Sequence, residues 1–403
     1  MKRLILTLRT LTVLLYFSCT KQVTDTPAPP VVSKDSVLAA NNLVVYVASE
    51  NNKLYAFDAN NGSVRWTFLL NSRTVQLAQL SSPAYADGIL YVGSTDQNIY
   101  AVDATNGKEV WHYPTNSTVG FFYSSPVVGN GVVYVSGYEQ RFYAIDAKSG
   151  QLKWQKDFPR EFQSSPAFYE GTVLTTSNDG VLYALDGNDG TTLWSQGSAG
   201  YNYGYDYSIS SPCVNNGVVY SIVENVAESS SLINELNITA GTGYGVYSEF
   251  DMPSLSGYMT SPVSKDSMVY FAAKDSVYAV KTGSLMFFNK SWTAGVGGDI
   301  YSSPALDDSS LYVGCNDGYL YAFEKFTGLL RWKYNSGALM VVSSPVVING
   351  IVFCGCDNKF FALNASDGSL KWQTVEYTPV TSSPVVLTRD GKAYHGSISG
   401  MTN

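Results

Sequence analysis

One short phrase recurs along the 403-residue chain and constrains its fold more than any other feature. The phrase is a strand-like run, a polar turn with a glycine and a tryptophan, as in LYAFDANNGSVRW at residues 54–66. Similar phrases end at later tryptophans: Trp111, Trp154, Trp194, Trp332 and Trp372. Because such self-similarity indicates stacked copies of one structural unit, the length alone does not determine the number of domains.

A second phrase, Ser-Ser-Pro before a β-rich run, divides the chain into units. Its prolines recur every 39 to 50 residues, with Thr260 replacing the first serine once: Pro83, Pro126, Pro166, Pro212, Pro262, Pro304, Pro345 and Pro384. Pairs such as Asp87-Gly88 and Asn130-Gly131 indicate tight hairpins, since both residues tolerate positive φ. We therefore predict an all-β fold, an eight-bladed β-propeller of four-stranded antiparallel blades, with seven blades as the alternative.

The repeated phrase is interpreted as the turn between the third and fourth strands of a blade, which we call the docking turn. We predict that its tryptophan packs between blades against the phrase's alanine in a neighbour, the docking residues being Trp66, Trp111, Trp154, Trp194, Trp332 and Trp372. Two units are degenerate: the sixth has Phe287 for the tryptophan, and the fifth keeps only Gly243 and Tyr247. Residues 382–398 add two strands, which we expect to pair with the first blade and close the ring.

The N-terminus is typical of an exported protein. Residues 1–18 combine Lys2 and Arg3 with an apolar run, and Ser18-Cys19 then resembles a lipoprotein processing site; ordinary secretion is the alternative. We expect Cys19 to be lipidated, residues 19–35 to form a proline-rich tether, and residues 36–403 to form a single β-propeller domain. The predicted location is the bacterial outer membrane, facing the periplasm or the cell surface, with membrane contact through the anchor only.

Composition argues against several functions. The net charge of −8 argues against nucleic acid as a partner, because phosphate binding needs a basic face. The two histidines, His112 and His395, are isolated from any spaced cysteine or acid, so we predict no catalytic residue and no metal site. Apart from Cys19, the cysteines lie in or near strand-like runs and are expected to be buried free thiols: Cys213, Cys315, Cys354 and Cys356.

The pattern Ala-x-Asp-x-x-[Thr/Ser/Asn/Asp]-Gly-x-x-x-Trp resembles the tryptophan-docking repeat of pyrroloquinoline-quinone-type propellers, over residues 36–398. One branch of that family comprises quinone- and calcium-dependent dehydrogenases. The other is non-catalytic and includes the propeller lipoprotein of the outer-membrane β-barrel assembly machinery, which binds a partner protein. This chain has no adjacent cysteine pair and no Cys-x-x-Cys-His motif, and so is more similar to the second branch. The resemblance implies no cofactor, with pyrroloquinoline quinone and calcium as the alternative.

Loops that interrupt the repeat are the expected site of function, because loops on a rigid scaffold carry specificity. Tyrosine-rich and charged segments between strands define a candidate binding face: Phe121, Phe122, Tyr123, Glu139, Arg141, Tyr201, Tyr203, Tyr205 and Tyr207. A structural role, covering the blades or the channel mouth, is the alternative. We expect a non-catalytic, lipid-anchored scaffold that binds envelope proteins, with an outer-membrane assembly complex as a candidate partner. A quinone-dependent dehydrogenase and a carbohydrate-binding propeller are the alternative functions.

Overall fold

Eight antiparallel β-sheets form the protein, and no α-helix occurs in the part of the chain that the structure describes. The computed structural model describes residues 43–69, 81–115, 124–137, 139–197, 210–225, 230–239, 243–246, 260–282, 289–340, 343–374, 380–388 and 392–395. Within these ranges no helix is long and apolar enough to cross a membrane. The fold is an eight-bladed β-propeller, as predicted, and the seven-bladed alternative is wrong.

Each blade from the second to the eighth takes four consecutive strands. The second to fourth blades comprise β4 (Ala84–Ala86), β5 (Ile89–Gly93), β6 (Asn98–Asp103), β7 (Glu109–Pro114); β8 (Val127–Gly129), β9 (Val132–Ser136), β10 (Arg141–Asp146), β11 (Leu152–Asp157); β12 (Ala167–Tyr169), β13 (Thr172–Thr176), β14 (Leu182–Asp186) and β15 (Thr192–Gln196). The fifth and sixth comprise β16 (Cys213–Asn215), β17 (Val218–Asn225), β18 (Ser230–Asn237), β19 (Gly243–Val246); β20 (Val263–Lys265), β21 (Met268–Ala273), β22 (Ser276–Lys281) and β23 (Asn289–Gly295). The seventh and eighth comprise β24 (Ala305–Leu306), β25 (Ser310–Gly314), β26 (Tyr319–Glu324), β27 (Leu330–Asn335); β28 (Val346–Ile348), β29 (Ile351–Cys356), β30 (Lys359–Asn364) and β31 (Leu370–Gln373).

The first blade takes strands from distant parts of the chain. Its strands are β1 (Val44–Ser49), β2 (Lys53–Asp58), β3 (Val64–Leu69), β32 (Val385–Leu387) and β33 (Ala393–His395). Strand β1 pairs antiparallel with β32, so the predicted closure of the ring by the C-terminal strands is confirmed. Strand β33 forms a fifth, innermost strand that contacts β4 and β28 of the neighbouring blades.

Hairpin turns have the geometry that the sequence predicts. Asp87 and Gly88 have φ of 48° and 81°, and Asn130 and Gly131 have φ of 50° and 72°. Two consecutive positive φ values match the right-handed twist of the flanking strands, which is why Asp-Gly and Asn-Gly recur here.

The hydrophobic core is divided among the contacts between adjacent blades, which we call seams. Each seam has its own buried cluster; Tyr91, Ile99, Val133 and Ile145, for example, pack together between the second and third blades. Each sheet is therefore covered on both faces by its neighbours, which accounts for strands that are apolar at nearly every position, such as VVYVAS in β1.

At seven of the eight seams, a tryptophan from one blade donates its indole N–H to a backbone carbonyl in the docking turn of the next blade. The N···O distances are 2.8–3.0 Å, and the pairs are Trp66 with Ala104, Trp111 with Ala147, Trp154 with Gly187, Trp194 with Ile238, Trp292 with Lys325, Trp332 with Ala365 and Trp372 with Ala59. Each bond satisfies the indole N–H of a ring that is mostly buried.

The predicted contact with the neighbour's alanine is wrong. Ala101 pairs instead with Trp111 of its own blade, and the ring of Trp66 lies on the docking-turn glycine of the next blade, Gly107. A Cβ added to Gly107 would lie 2.6 Å from that ring, and its φ is +70°. Only glycine satisfies both conditions, so the glycine is the surface on which the indole docks.

The assignments in the two degenerate blades also change. In the sixth blade Trp292, not Phe287, pairs with the alanine and docks on the next blade; Phe287 lies outside the described residues. In the fifth blade Glu235 takes the alanine position and pairs with Tyr244, while Tyr247 lies outside the described residues. All seven tryptophans of the chain serve other seams, so none docks between the fifth and sixth blades.

The Ser-Ser-Pro phrase forms a closed belt of hydrogen bonds near the centre of the ring. The N–H of each second serine donates to the hydroxyl of its counterpart in the next blade, at N···O distances of 2.8–3.2 Å. The order is Ser82, Ser125, Ser165, Ser211, Ser261, Ser303, Ser344, Ser383 and back to Ser82. The first serine, or Thr260, accepts an N–H from its own blade, as Ser81 does from Gly93. The second serines thus connect the blades, while the first serines fix the incoming chain.

Candidate binding face

The propeller has two faces that differ in their connections. The docking-turn face carries the docking turns and the turns between first and second strands; the N–H of Ala104 donates to the carbonyl of Gly88 at 2.9 Å and joins the two kinds of turn. The opposite side, which we call the loop face, carries the turns between second and third strands and the connections between blades. Of the nine residues of the predicted binding face, those that the structure describes lie on the loop face.

Two of those nine residues, Glu139 and Arg141, are described by the structure. The other seven lie outside the described residues, as does Cys19: Phe121, Phe122, Tyr123, Tyr201, Tyr203, Tyr205 and Tyr207. Glu139 and Arg141 lie at the end of the third blade where the chain turns from β9 into β10.

Glu139 has a structural partner. The hydroxyl of Tyr143 donates to its Oε1 at 2.7 Å, and burial together with this carboxylate raises the pKa of the tyrosine. The same pairing recurs in the second blade, where Tyr100 donates to Asp96 at 2.6 Å, and in the seventh, where Tyr321 donates to Asp317 at 2.5 Å. An acid four residues before a tyrosine therefore fixes this turn in three blades.

Arg141 is placed at the rim of the loop face by strand pairing. It lies opposite Asp157 in the register of β10 and β11, and its Nε donates to that carboxylate at 2.5 Å. This bond raises the pKa of Arg141 and lowers that of Asp157. Because the Asp157 side chain is 71% exposed, the pair contributes at most about 1 kcal/mol to folding, and a partner's carboxylate could compete for the guanidinium.

Aromatic residues lie beneath this rim. Tyr113 of the second blade meets Tyr143 of the third edge-on, with ring centroids 6.0 Å apart. Phe158 and Phe162, in the connection after the third blade, are buried and 4.9 Å apart in a T-shaped arrangement. The charged rim of the third blade is thus supported by packed rings and does not depend on an extended loop.

The two histidines lie in adjacent blades, His112 on the outermost strand of the second and His395 on the innermost strand of the first, and have different surroundings. His112 is exposed on β7 and lies 2.8 Å from Glu109. On β33 the Nε2 of His395 is buried without a hydrogen-bond partner, and burial lowers the pKa of this imidazole to about 4. Among the described residues, no three His, Cys, Asp or Glu side chains are grouped so that they could hold a metal ion.

The four cysteines of the blades are buried and free, as predicted: Cys213, Cys315, Cys354 and Cys356. Burial raises the pKa of the Cys315 and Cys354 thiols well above the ordinary value. A thiol with a raised pKa is a poor nucleophile, so these two residues belong to the core.

Sequence reasoning missed Trp292 and the function of the second serines. A signal existed for the first: Ala279 and Trp292 are 13 residues apart, against 10 for Ala56 and Trp66, so an insertion of three residues hid the pairing. For the serines, the repetition itself was the signal, since a polar residue at one fixed position in every unit needs a partner in every unit.

Comparison with known proteins gives a family match across the ring. The sequence profile described as outer membrane protein assembly factor BamB matches residues 18–120, 119–221 and 233–400. The BamB of Moranella endobia (strain PCIT) is 28% identical over 237 residues, which cover 52% of this chain and 58% of that protein. The BamB of Yersinia pestis is 26% identical over 170 residues, covering 41% and 42%. The aligned segment therefore spans about half the length of these curated relatives.

A solved structure supports the fold. The crystal structure of BamB from Moraxella catarrhalis superposes with a TM-score of 0.59, covering 77% of this chain and 88% of that one, at 17% sequence identity. At this identity the similarity demonstrates a shared propeller architecture only.

Proposed function

Because this chain belongs to the family of the outer membrane protein assembly factor BamB, we propose that it is a non-catalytic propeller that binds an envelope protein and serves as an assembly scaffold. The observation that carries the proposal is the extent of the family match, which includes nearly the whole ring. The proposed location is the outer membrane, with the protein held there by a lipid on Cys19.

The chemistry of the ring supports a binding function. The repeated groups make bonds inside the propeller: the serine belt in all eight blades, the indole N–H groups at seven seams, and turn acids such as Asp58, which accepts the N–H of Asn60 at 3.0 Å. Groups used identically around a ring cannot form one active site. Specific recognition is therefore assigned to the loop face, where the sequence departs from the repeat.

The test is a pull-down from detergent-solubilised envelope with the tagged full-length protein. We expect a specific envelope protein to be recovered, and recovery to fall when Phe122, Tyr203 and Tyr205 are replaced by alanine or when Arg141 is replaced by glutamate. Lys148→Ala, on the docking-turn face of the third blade, is the matched control and should leave recovery unchanged. Retention of every partner by all the loop-face variants would show that the binding face has been assigned wrongly.

A separate measurement tests the absence of a cofactor. The purified protein is titrated with pyrroloquinoline quinone in the presence and absence of calcium, and we expect no saturable change in quinone absorbance. A stoichiometric, calcium-dependent complex would contradict the scaffold proposal and favour the dehydrogenase branch of the superfamily.

A further inference from the structure

The docking turn of the seventh blade carries an apolar patch that the fold does not require. Phe326, Leu329 and Leu330 are 56%, 69% and 53% exposed, and we call them the blade-seven patch. The turn has the same backbone as its counterparts: φ is +72° at Gly328, as at Gly62 and Gly368.

Two of the three corresponding positions are polar in other blades, whereas the position of Leu330 is also apolar and exposed in three of them, as Val64, Leu152 and Leu370. Residues equivalent to Phe326 are Asn60, Thr105, Lys148, Asn188 and Ser366, and those equivalent to Leu329 are Ser63, Lys108, Gln151, Thr191 and Ser369. Polar residues thus satisfy the same turn in five other blades, and the two large side chains are free for another purpose.

The patch is held outward and surrounded by paired charges. Lys325 is 1% exposed; its Nζ lies 4.7 Å from the centre of the Phe326 ring and donates to Asp266 at 3.0 Å. Lys265 pairs with Asp308 at 2.8 Å, and Arg331 lies 4.0 Å from Glu324. Because these charges are matched within the protein, the surroundings of the patch have little net attraction for an ionic partner.

The described part of the chain begins on the same face. Its first residue, Leu43, accepts the N–H of Ala59 in the first docking turn at 3.1 Å through its carbonyl. The tether from Cys19 to Leu43 can reach at most about 80 Å when fully extended. An anchor on so long a tether brings the propeller to the membrane without fixing its orientation.

We propose that the blade-seven patch inserts into the interfacial region of a lipid bilayer, as a second membrane contact besides the anchor. This would direct the docking-turn face to the lipid and leave the loop face open to a protein partner. The patch exposes on the order of 300 Å² of apolar surface, far below the roughly 800 Å² per partner of a stable protein interface, so a second copy fits poorly. The inference rests on the proposed lipid anchor, and it departs from the sequence-based expectation that the anchor is the only membrane contact.

The experiment places an environment-sensitive NBD label at position 326 (Phe326→Cys) of the full-length protein in phosphatidylcholine vesicles. Lys148→Cys, at the equivalent position of the third blade, carries the same label as the control. We expect the label at 326 to shift to the blue and to be quenched at least twofold by doxyl-labelled lipid, at low and high salt, while the label at 148 remains in water. The buried cysteines do not interfere, since they are inaccessible in the folded ring.

Three results would overturn the inference. The label at 326 could remain in water on vesicle-bound protein, or its quenching could disappear at high salt, which would indicate an electrostatic contact and not insertion. It could also become buried in detergent as the protein concentration rises, which would identify a second copy as the occupant. Failure of the pull-down leaves the quenching unaffected, so the proposed scaffold function and this membrane contact fail separately.

Discussion

Replacing Trp372 tests whether the propeller depends on the seam that joins its last blade to its first. This indole is 7% exposed, donates to the carbonyl of Ala59 at 2.8 Å, and packs on Gly62, whose added Cβ would lie 2.5 Å from the ring. Trp372→Ala removes about 200 Å² of buried surface, which corresponds to about 5 kcal/mol as an upper estimate. Measured large-to-small replacements in cores give about 3–5 kcal/mol, and an unpaired carbonyl costs about 1 kcal/mol more. We therefore expect the free energy of unfolding to fall by about 4–5 kcal/mol.

The assay is urea unfolding of the purified full-length protein, followed by far-ultraviolet circular dichroism. Trp372→Phe keeps much of the packing and loses the hydrogen bond, so its midpoint should lie between those of the wild type and Trp372→Ala. Leu329→Ser, at an exposed position, should change the free energy by no more than about 0.5 kcal/mol. If Trp372→Ala costs less than about 1 kcal/mol, the indole does not hold this seam and the reasoning is refuted.

Three further predictions follow from single sites. Gly107→Ala should destabilise by about 2–3 kcal/mol because it combines backbone strain with a clash, whereas Gly131→Ala, with nothing within 4 Å of its added Cβ, should cost only about 1 kcal/mol; thermal unfolding compares them. Burial lowers the pKa of His395 from 6.5 to about 4 in the folded protein, so as the pH falls the unfolded chain takes up this proton before the folded one does. Stability should therefore fall by about 3 kcal/mol between pH 6.5 and 4, and the difference from His395→Gln isolates this contribution; a constant difference would contradict it. Cys354 and Cys356, which are buried, should react with a thiol reagent such as DTNB only after unfolding, and rapid reaction in native buffer would contradict their burial.

Blade number and strand order were predictable because they depend on local signals. Asp87-Gly88 specifies a hairpin by its own φ values, and Pro83 and its counterparts mark where each blade begins. The pairing of β1 with β32 also followed from the sequence, since two strands without a docking turn need a partner sheet.

Contacts between blades were less predictable, because they join residues that no local pattern relates. The sequence indicated that Trp66 needs a neighbour, but two small residues of the repeat, Ala101 and Gly107, were both reasonable partners. Strand pairing distinguishes the two, since Ala101 lies opposite Trp111 within its own blade, while the ring of Trp66 lies on Gly107. In the candidate binding face, the contacts of Glu139 with Tyr143 and of Arg141 with Asp157 depend on side-chain geometry and strand register, which the turn sequence alone does not specify.

The pairing of β1 with β32 has a consequence for the order in which the protein can be completed during synthesis. The first blade is made first, yet it lacks its inner strands until residues 385–395 have been added. Until then β1 presents an open sheet edge, the kind of surface that pairs with other chains. A product truncated before residue 385 would lose more than a few residues: it would keep seven blades and a permanently open edge. The residues from 385 onward, about a twentieth of the chain, thus determine whether the rest forms a closed ring or keeps an open edge that favours aggregation.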